Sequence, residues 1–185
     1  MWKKKLLVIF FGISMQCSSA QSLALTQFQA VLQAAQLDYV APLENAYRPI
    51  AVEPNEFHSY EYAIQSKSRD IEIRYSIKTF ATIAAPKNEL PHLKCLAIAN
   101  TLADNKVDQA IAVHGIPKRE LMEKYNADWG AIVYFQPKIQ FSDKTHCKML
   151  TLFADGKADV YIFFLFDEPS DELKHQMYTL RFASD

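Results

Sequence analysis

The sequence predicts an α+β fold, a single antiparallel sheet of about five strands flanked by helices, and three patterns carry that expectation. Tyr60, Tyr62 and Ile64, and then Ile71, Ile73, Tyr75 and Ile77, alternate with smaller or polar residues on either side of the short polar link 65–70. Period-two alternation rich in β-branched and aromatic side chains marks the two strands of one hairpin, each with one buried and one wet face. Three further apolar segments, 130–136, 147–154 and 158–166, are divided by the polar loop Ser142-Asp143-Lys144-Thr145 and the tight turn Asp155-Gly156, which predicts a three-strand meander. Within it, 161–166 is apolar on both parities, the mark of a central strand covered on both faces, so helices must pack on both sides of the sheet.

The helices follow from spacing and punctuation. Phe28, Val31, Leu32 and Ala35 recur at helical spacing within 25–37. Pro42, Pro49 and Pro54 then remove backbone donors and restrict the residues before them, so 38–58 reads as an extended connecting segment. After the loop between Pro86 and Pro91, Leu93, Leu96, Ala97, Ala99, Asn100 and Ala103 predict a helix of about three turns. Val107, Ala110, Ile111 and His114 fit a helical face better than a strand, with Gly115 as its stop. Pro117 opens a helix over 118–125 with Asn126 as its exit. A last helix begins after Ser170, with Asp171 and Glu172 in its first turn and Leu173, Met177 and Leu180 as one stripe.

Composition bounds the function. The chain has 185 residues, half of them hydrophobic and 22% charged, which suits one folded core. A formal charge of −1 removes the argument for nucleic acid, whose phosphates require a clustered excess of Lys and Arg. No nucleotide loop, zinc-protease helix or nucleophile elbow is present in the sequence.

The first twenty residues read as a secretory signal peptide. Met1-Trp2-Lys3-Lys4-Lys5 is the positive region, 6–13 the apolar run, and Ser18-Ser19-Ala20 the small residues of a cleavage site between Ala20 and Gln21. The apolar run is far shorter than the roughly 18 to 20 residues that span a bilayer, so no stable membrane insertion is expected once the signal is removed. Cys17 raises a lipoprotein alternative, which Ser14-Met15-Gln16 disfavours because bulky and polar residues stand where small ones are needed. Cleavage lowers Lys plus Arg from 20 to 17 against 21 acidic residues, leaving a mildly acidic mature chain of net charge −4. The expected organisation is a signal at 1–20, an N-terminal helix and connecting segment at 21–58, and an α+β core at 59–185. The expected location is the periplasm or the exterior of the cell.

A hairpin, a helical insertion, three strands and a terminal helix in an exported chain resemble the PsbP-like fold. The stretches Tyr60-Glu61-Tyr62-Ala63-Ile64, Ile71-Glu72-Ile73-Arg74-Tyr75, Asn126-Ala127-Asp128-Trp129-Gly130-Ala131 and Asp155-Gly156-Lys157-Ala158-Asp159 are also similar to small exported proteins of Bacteroides-type bacteria. The resemblance covers most of 45–182. It implies fold and compartment, and it carries no catalytic set.

Four groups of residues merit a chemical reading. Cys95 and Cys147 survive signal cleavage and either pair in an oxidising compartment or stand as two separate small core residues. His92, Cys95, His146 and Cys147 have zinc-ligand types, but neighbours on a strand point to opposite faces, so no metal is expected. Cys95 or Cys147 with His114 lacks any local signature of an activated nucleophile. Asp128, Trp129 and Gly130 lie at an element boundary, where a Trp beside a Gly serves either as a ligand platform or as a core closure. The sequence therefore favours an exported, non-enzymatic domain that binds a protein or small ligand without a cofactor. A small secreted hydrolase or thiol enzyme is the first alternative, and a structural partner of an envelope complex the second.

Overall fold

The computed structural model describes residues 13–42, 46–80, 90–104 and 110–184. Most of the expected signal peptide, 1–12, lies outside these residues. From residue 13 the backbone runs as one helix, α1 (Ile13–Ala34), through the expected Ala20–Gln21 cleavage point and past Cys17. No helix among the described residues is long and apolar enough to cross a membrane.

Among the described residues nine strands follow in chain order: β1 (Leu37–Tyr39), β2 (Tyr47–Pro49), β3 (Tyr62–Ser66), β4 (Ile71–Thr79), β5 (Ala112–Gly115), β6 (Trp129–Phe135), β7 (His146–Ala154), β8 (Ala158–Phe166) and β9 (Leu180–Phe182). Seven of them form one antiparallel sheet in the order β2-β3-β4-β8-β7-β6-β5, and β1 pairs with β9 in a separate two-stranded sheet. The expectation of a single sheet of about five strands is thus corrected. The hairpin β3-β4 and the meander β6-β7-β8 are as the alternation predicts, and they join through nine register pairs between β4 and β8. The doubly apolar β8 is the central strand and is buried along its whole length.

The additional strands are three or four residues long, too short for a periodic signal. β1 and β2 occupy the segment read as a connector. β5 replaces the helix expected around 107–113, of which 105–109 lie outside the described residues: pairing to β6 overrides the weak helical pattern of Ala110, Ile111 and His114. The last helix, α4 (Glu172–Gln176), stops early. Leu173, Met177 and Leu180 are all buried in one cluster, yet Leu180 reaches it from β9, opposite Tyr39.

Helices α2 (Pro91–Leu102) and α3 (Lys118–Glu120) complete the set, and α3 continues directly into a π-helical turn, Leu121–Tyr125. Pro91 opens α2, where a missing donor is harmless. Asn126 ends the π-helical turn in the left-handed region at φ 49°, and its Nδ2 donates to the carbonyls of Phe182 and Ala183.

Each face of the large sheet has its own core. On the first face Phe28 and Leu32 of α1 pack with Tyr62, Tyr75, Ile162, Phe164 and Phe182, and the Phe28 and Tyr62 rings stack at 4.5 Å. On the second face Cys95, Ala99 and Leu102 of α2 pack on Val133, Cys147, Met149 and Phe163. The face of β4 expected to be wet is covered here. Arg74, 9% exposed, lies between the rings of Tyr60 and Phe141 at 4.9 Å from each. It donates to Glu72 and to the carbonyl of Phe141 at 2.5 and 2.6 Å, so the buried charge is fully engaged.

Candidate functional site

The residues singled out from sequence do not form one group: Asp128, Trp129 and Gly130 stand at the start of β6, Cys95 and Cys147 lie in the second-face cluster, and His114 and His146 lie on the first face. Asp128 caps the β7–β8 hairpin, its carboxylate accepting from the Asp155 amide at 2.8 Å. Gly130 is buried where a Cβ would stand 2.8 Å from Leu121 Cδ2 and 2.9 Å from the Thr151 carbonyl, so its absence of side chain permits β6 to seat under the π-helical turn. Trp129 is half-buried and packs against the second-face core, at the end of a line that runs through Phe153 and Asp159 to Lys78. Beside this line Phe80 packs on Phe153 at 5.9 Å, and Lys94 holds Asp159 at 2.8 Å.

Cys95 and Cys147 sit in the same second-face cluster and are both free thiols. Burial pushes Cys95 up to about 11 and Cys147 higher still, so both are protonated at neutral pH, the opposite of what a thiolate nucleophile needs. His146 is exposed on the first face, against Phe166, while Cys147 is buried on the second. Among the described residues no group of three or more His, Cys, Asp or Glu is arranged to hold a metal ion.

A serine with one of the five histidines is an arrangement for which the sequence singles out no pair; the fold brings His58 and Ser76 together. His58 Nε2 lies 3.0 Å from Ser76 Oγ, and the imidazole stands edge-on to Tyr161 and Phe163. Ser76 is fully buried, which denies its hydroxyl to a substrate carbonyl. Burial, aided by Lys78, holds His58 down to about 4 and keeps it neutral. The pair satisfies two buried polar groups and closes the second face.

The surface with unsatisfied chemistry is on the first face, beside β5. Ala112, Tyr134, Lys148 and Phe164 form one line across β5, β6, β7 and β8. Lys148 leans along it, its Nζ 5.6 Å from the Tyr134 ring centroid, and His114 meets the same ring edge-on at 5.8 Å. His146 on β7 and Lys174 on α4 border the same surface, and Lys174 is itself paired with Asp171 at 2.8 Å. Burial first, and then the charge of Lys174, lower the pKa of Lys148. Among the described residues no carboxylate pairs with it. A half-buried ammonium that sits beside an aromatic face and feels a second lysine has the chemistry to receive an anionic group.

The sheet ends at this site. β5 is the outermost strand and all four of its residues are exposed. The Ile116 amide bonds to the Gly130 carbonyl, so the alternation of an antiparallel ladder turns Ala112 and His114 toward β6 and aims the backbone groups of Val113 and Gly115 outward. The opposite edge differs. There the Ile50 amide bonds to Ala63, so Pro49 faces outward and offers no donor.

Sequence reading missed Tyr134, Lys148 and β5. The available signal was Lys148 itself, since Leu150, Leu152 and Ala154 continue its face of β7 as apolar residues. Comparisons of the chain with protein families, with curated proteins and with solved structures return no match.

Proposed function

We propose that the chain is an exported, non-enzymatic α+β domain that binds a partner in the periplasm or outside the cell, through the surface formed by β5, Tyr134 and Lys148. The observation that carries this reading is Lys148, half-buried over an exposed aromatic ring and without a carboxylate beside the open edge of the sheet. The positive start, short apolar run and small-residue cleavage site of 1–20 support export, and the resemblance to PsbP-like exported proteins points the same way. The protonated thiols and the buried Ser76 speak against a thiol enzyme or a serine hydrolase built on those groups.

The test is position-specific photo-crosslinking in cells that export the protein. A benzophenone side chain in place of Tyr134 should give a discrete adduct that Lys148→Gln removes. The same group at exposed Lys67, on the β3–β4 turn, should give none. Equal adducts at both positions, or none at 134, would contradict the reading.

A further inference from the structure

Resting on that reading, we infer that the partner supplies an extended segment that adds to β5 as an eighth strand, with an acidic side chain opposite Ala112 that is drawn toward Lys148 across the Tyr134 ring.

The backbone argument comes first. Val113 and Gly115 present their amides and carbonyls away from β6, and among the described residues nothing accepts or donates to them. An edge of this kind is a template for another strand unless it is blocked. At the other end of the sheet Pro49 supplies the block, and Arg48, bonded to Gln65 at 3.0 Å, places a charge on that edge. β5 has neither proline nor formal charge within Ala112–Gly115. Gly115 adds room, because a Cβ there would meet nothing within 4 Å.

The side-chain argument fixes the chemistry. In an added strand, residues opposite Ala112 and His114 share their face of the sheet, which is the face of Tyr134 and Lys148. Ala112 is the one small residue in the line from the edge to Lys148, so it leaves a lane over its methyl group to the Tyr134 ring. Three strand spacings of ~4.8 Å separate the new position from Lys148, about 14 Å between Cα atoms. Side chains leave a sheet roughly perpendicular to it, so a glutamate and a lysine do not close that span to a hydrogen bond; they attract each other across the exposed Tyr134 ring, toward which Lys148 already leans. His114 and His146 flank the lane, Lys174 stands beyond it, and the nearest acidic group to Lys174, Asp171, is already engaged by it. An acidic strand therefore meets complementary charge. A second copy of this chain is a poorer occupant, since its own edge strand, Ala112–Gly115, has no carboxylate to offer Lys148.

The experiment uses the full mature chain and fluorescein-labelled octapeptides of alternating Thr and Val with one central Glu, alongside the Gln counterpart and a version N-methylated on alternate amides. The Glu peptide is expected to bind. Lys148→Gln should weaken it several-fold while leaving the Gln peptide unchanged, as loss of an attraction between two nearby opposite charges implies. Val113→Pro should weaken both peptides, because it removes an outward donor and leaves the β5–β6 ladder intact. N-methylation should weaken binding to the unaltered chain, which keeps the test decisive if the proline variant fails to fold. Equal affinity of the Glu and Gln peptides, absence of binding by either, or indifference to both Val113→Pro and N-methylation would overturn the inference. So would a mature protein that is a dimer dissociated by Val113→Pro, since the edge would then belong to a second copy. A crosslink at position 134 that persists in Val113→Pro would sink strand addition while sparing the binding-domain reading; absence of that crosslink would sink both.

Discussion

Lys148 and Tyr134 are register partners across β7 and β6, and the lysine ammonium lies 5.6 Å from the tyrosine ring centroid at the exposed end of an otherwise apolar face. Leu150 and Leu152 continue that face and are fully buried. The contrast separates packing from recognition: the leucines close the first-face core, whereas Lys148 keeps a charge where burial opposes it.

The first prediction concerns maturation. Among the described side chains the fully packed residues of α1 are Phe28 and Leu32, with Ala35 just past its end, all C-terminal to the Ala20–Gln21 bond. Intact-mass analysis of exported protein should show loss of the first twenty residues, with thermal stability equal to that of a chain beginning at Gln21. A diacylglycerol-modified Cys17 at the terminus would establish the lipoprotein alternative.

Gly130→Ala should destabilise the fold by about 1–3 kcal/mol, the usual cost of overpacking. Leu121 can shift aside, but the Thr151 carbonyl at 2.9 Å belongs to the central ladder and cannot. Denaturant unfolding of the variant measures the cost, and an unchanged midpoint would mean that β6 and the π-helical turn are less closely packed than described.

The thiols give a third test. Native mature protein should react slowly with a thiol reagent at neutral pH, because Cys95 and Cys147 are buried and burial raises the pKa of each. After denaturation without reductant, both should titrate. Finding none would mean that the two cysteines are bridged in the exported protein.

His58 predicts how stability varies with pH. Its pKa is lowered from the ordinary 6.5 to about 4 by burial and by Lys78, so between those values the unfolded chain binds a proton that the folded chain refuses. The stabilisation from a neutral His58 is complete above pH 6.5 and is lost as pH falls toward 4, by at most about 3 kcal/mol. His58→Gln should flatten the pH dependence of the unfolding midpoint in that window. An unaltered slope would show that other groups dominate it.

How much was legible in the sequence depended on element length. β4 and β8 are nine residues each, long enough for the period-two pattern of the one and the unbroken apolar run of the other to locate them, and Phe163, Phe164 and Leu165 mark β8 as central. β5 and β9 have four and three residues. At that length His114, or Leu180, fits a helical stripe as readily as a strand, and only the partner strand decides. Arg74 and Ser76 illustrate a second limit. Their polar character marks a wet face, yet Tyr60, Phe141 and His58 arrive from elsewhere in the chain to cover them. The candidate site was illegible for the same reason, because Ala112, Tyr134 and Lys148 become neighbours only through register.

The most direct test of the binding surface is amide hydrogen exchange at Val113 and Gly115. In the isolated mature protein both amides should exchange freely, since they point away from β6. With the Glu octapeptide at saturation they should slow by at least about tenfold, while Ala112 and His114, already bonded to β6, change little. Amides of Val113 and Gly115 that are protected before any ligand is added, or that remain unprotected at saturation, would contradict the account.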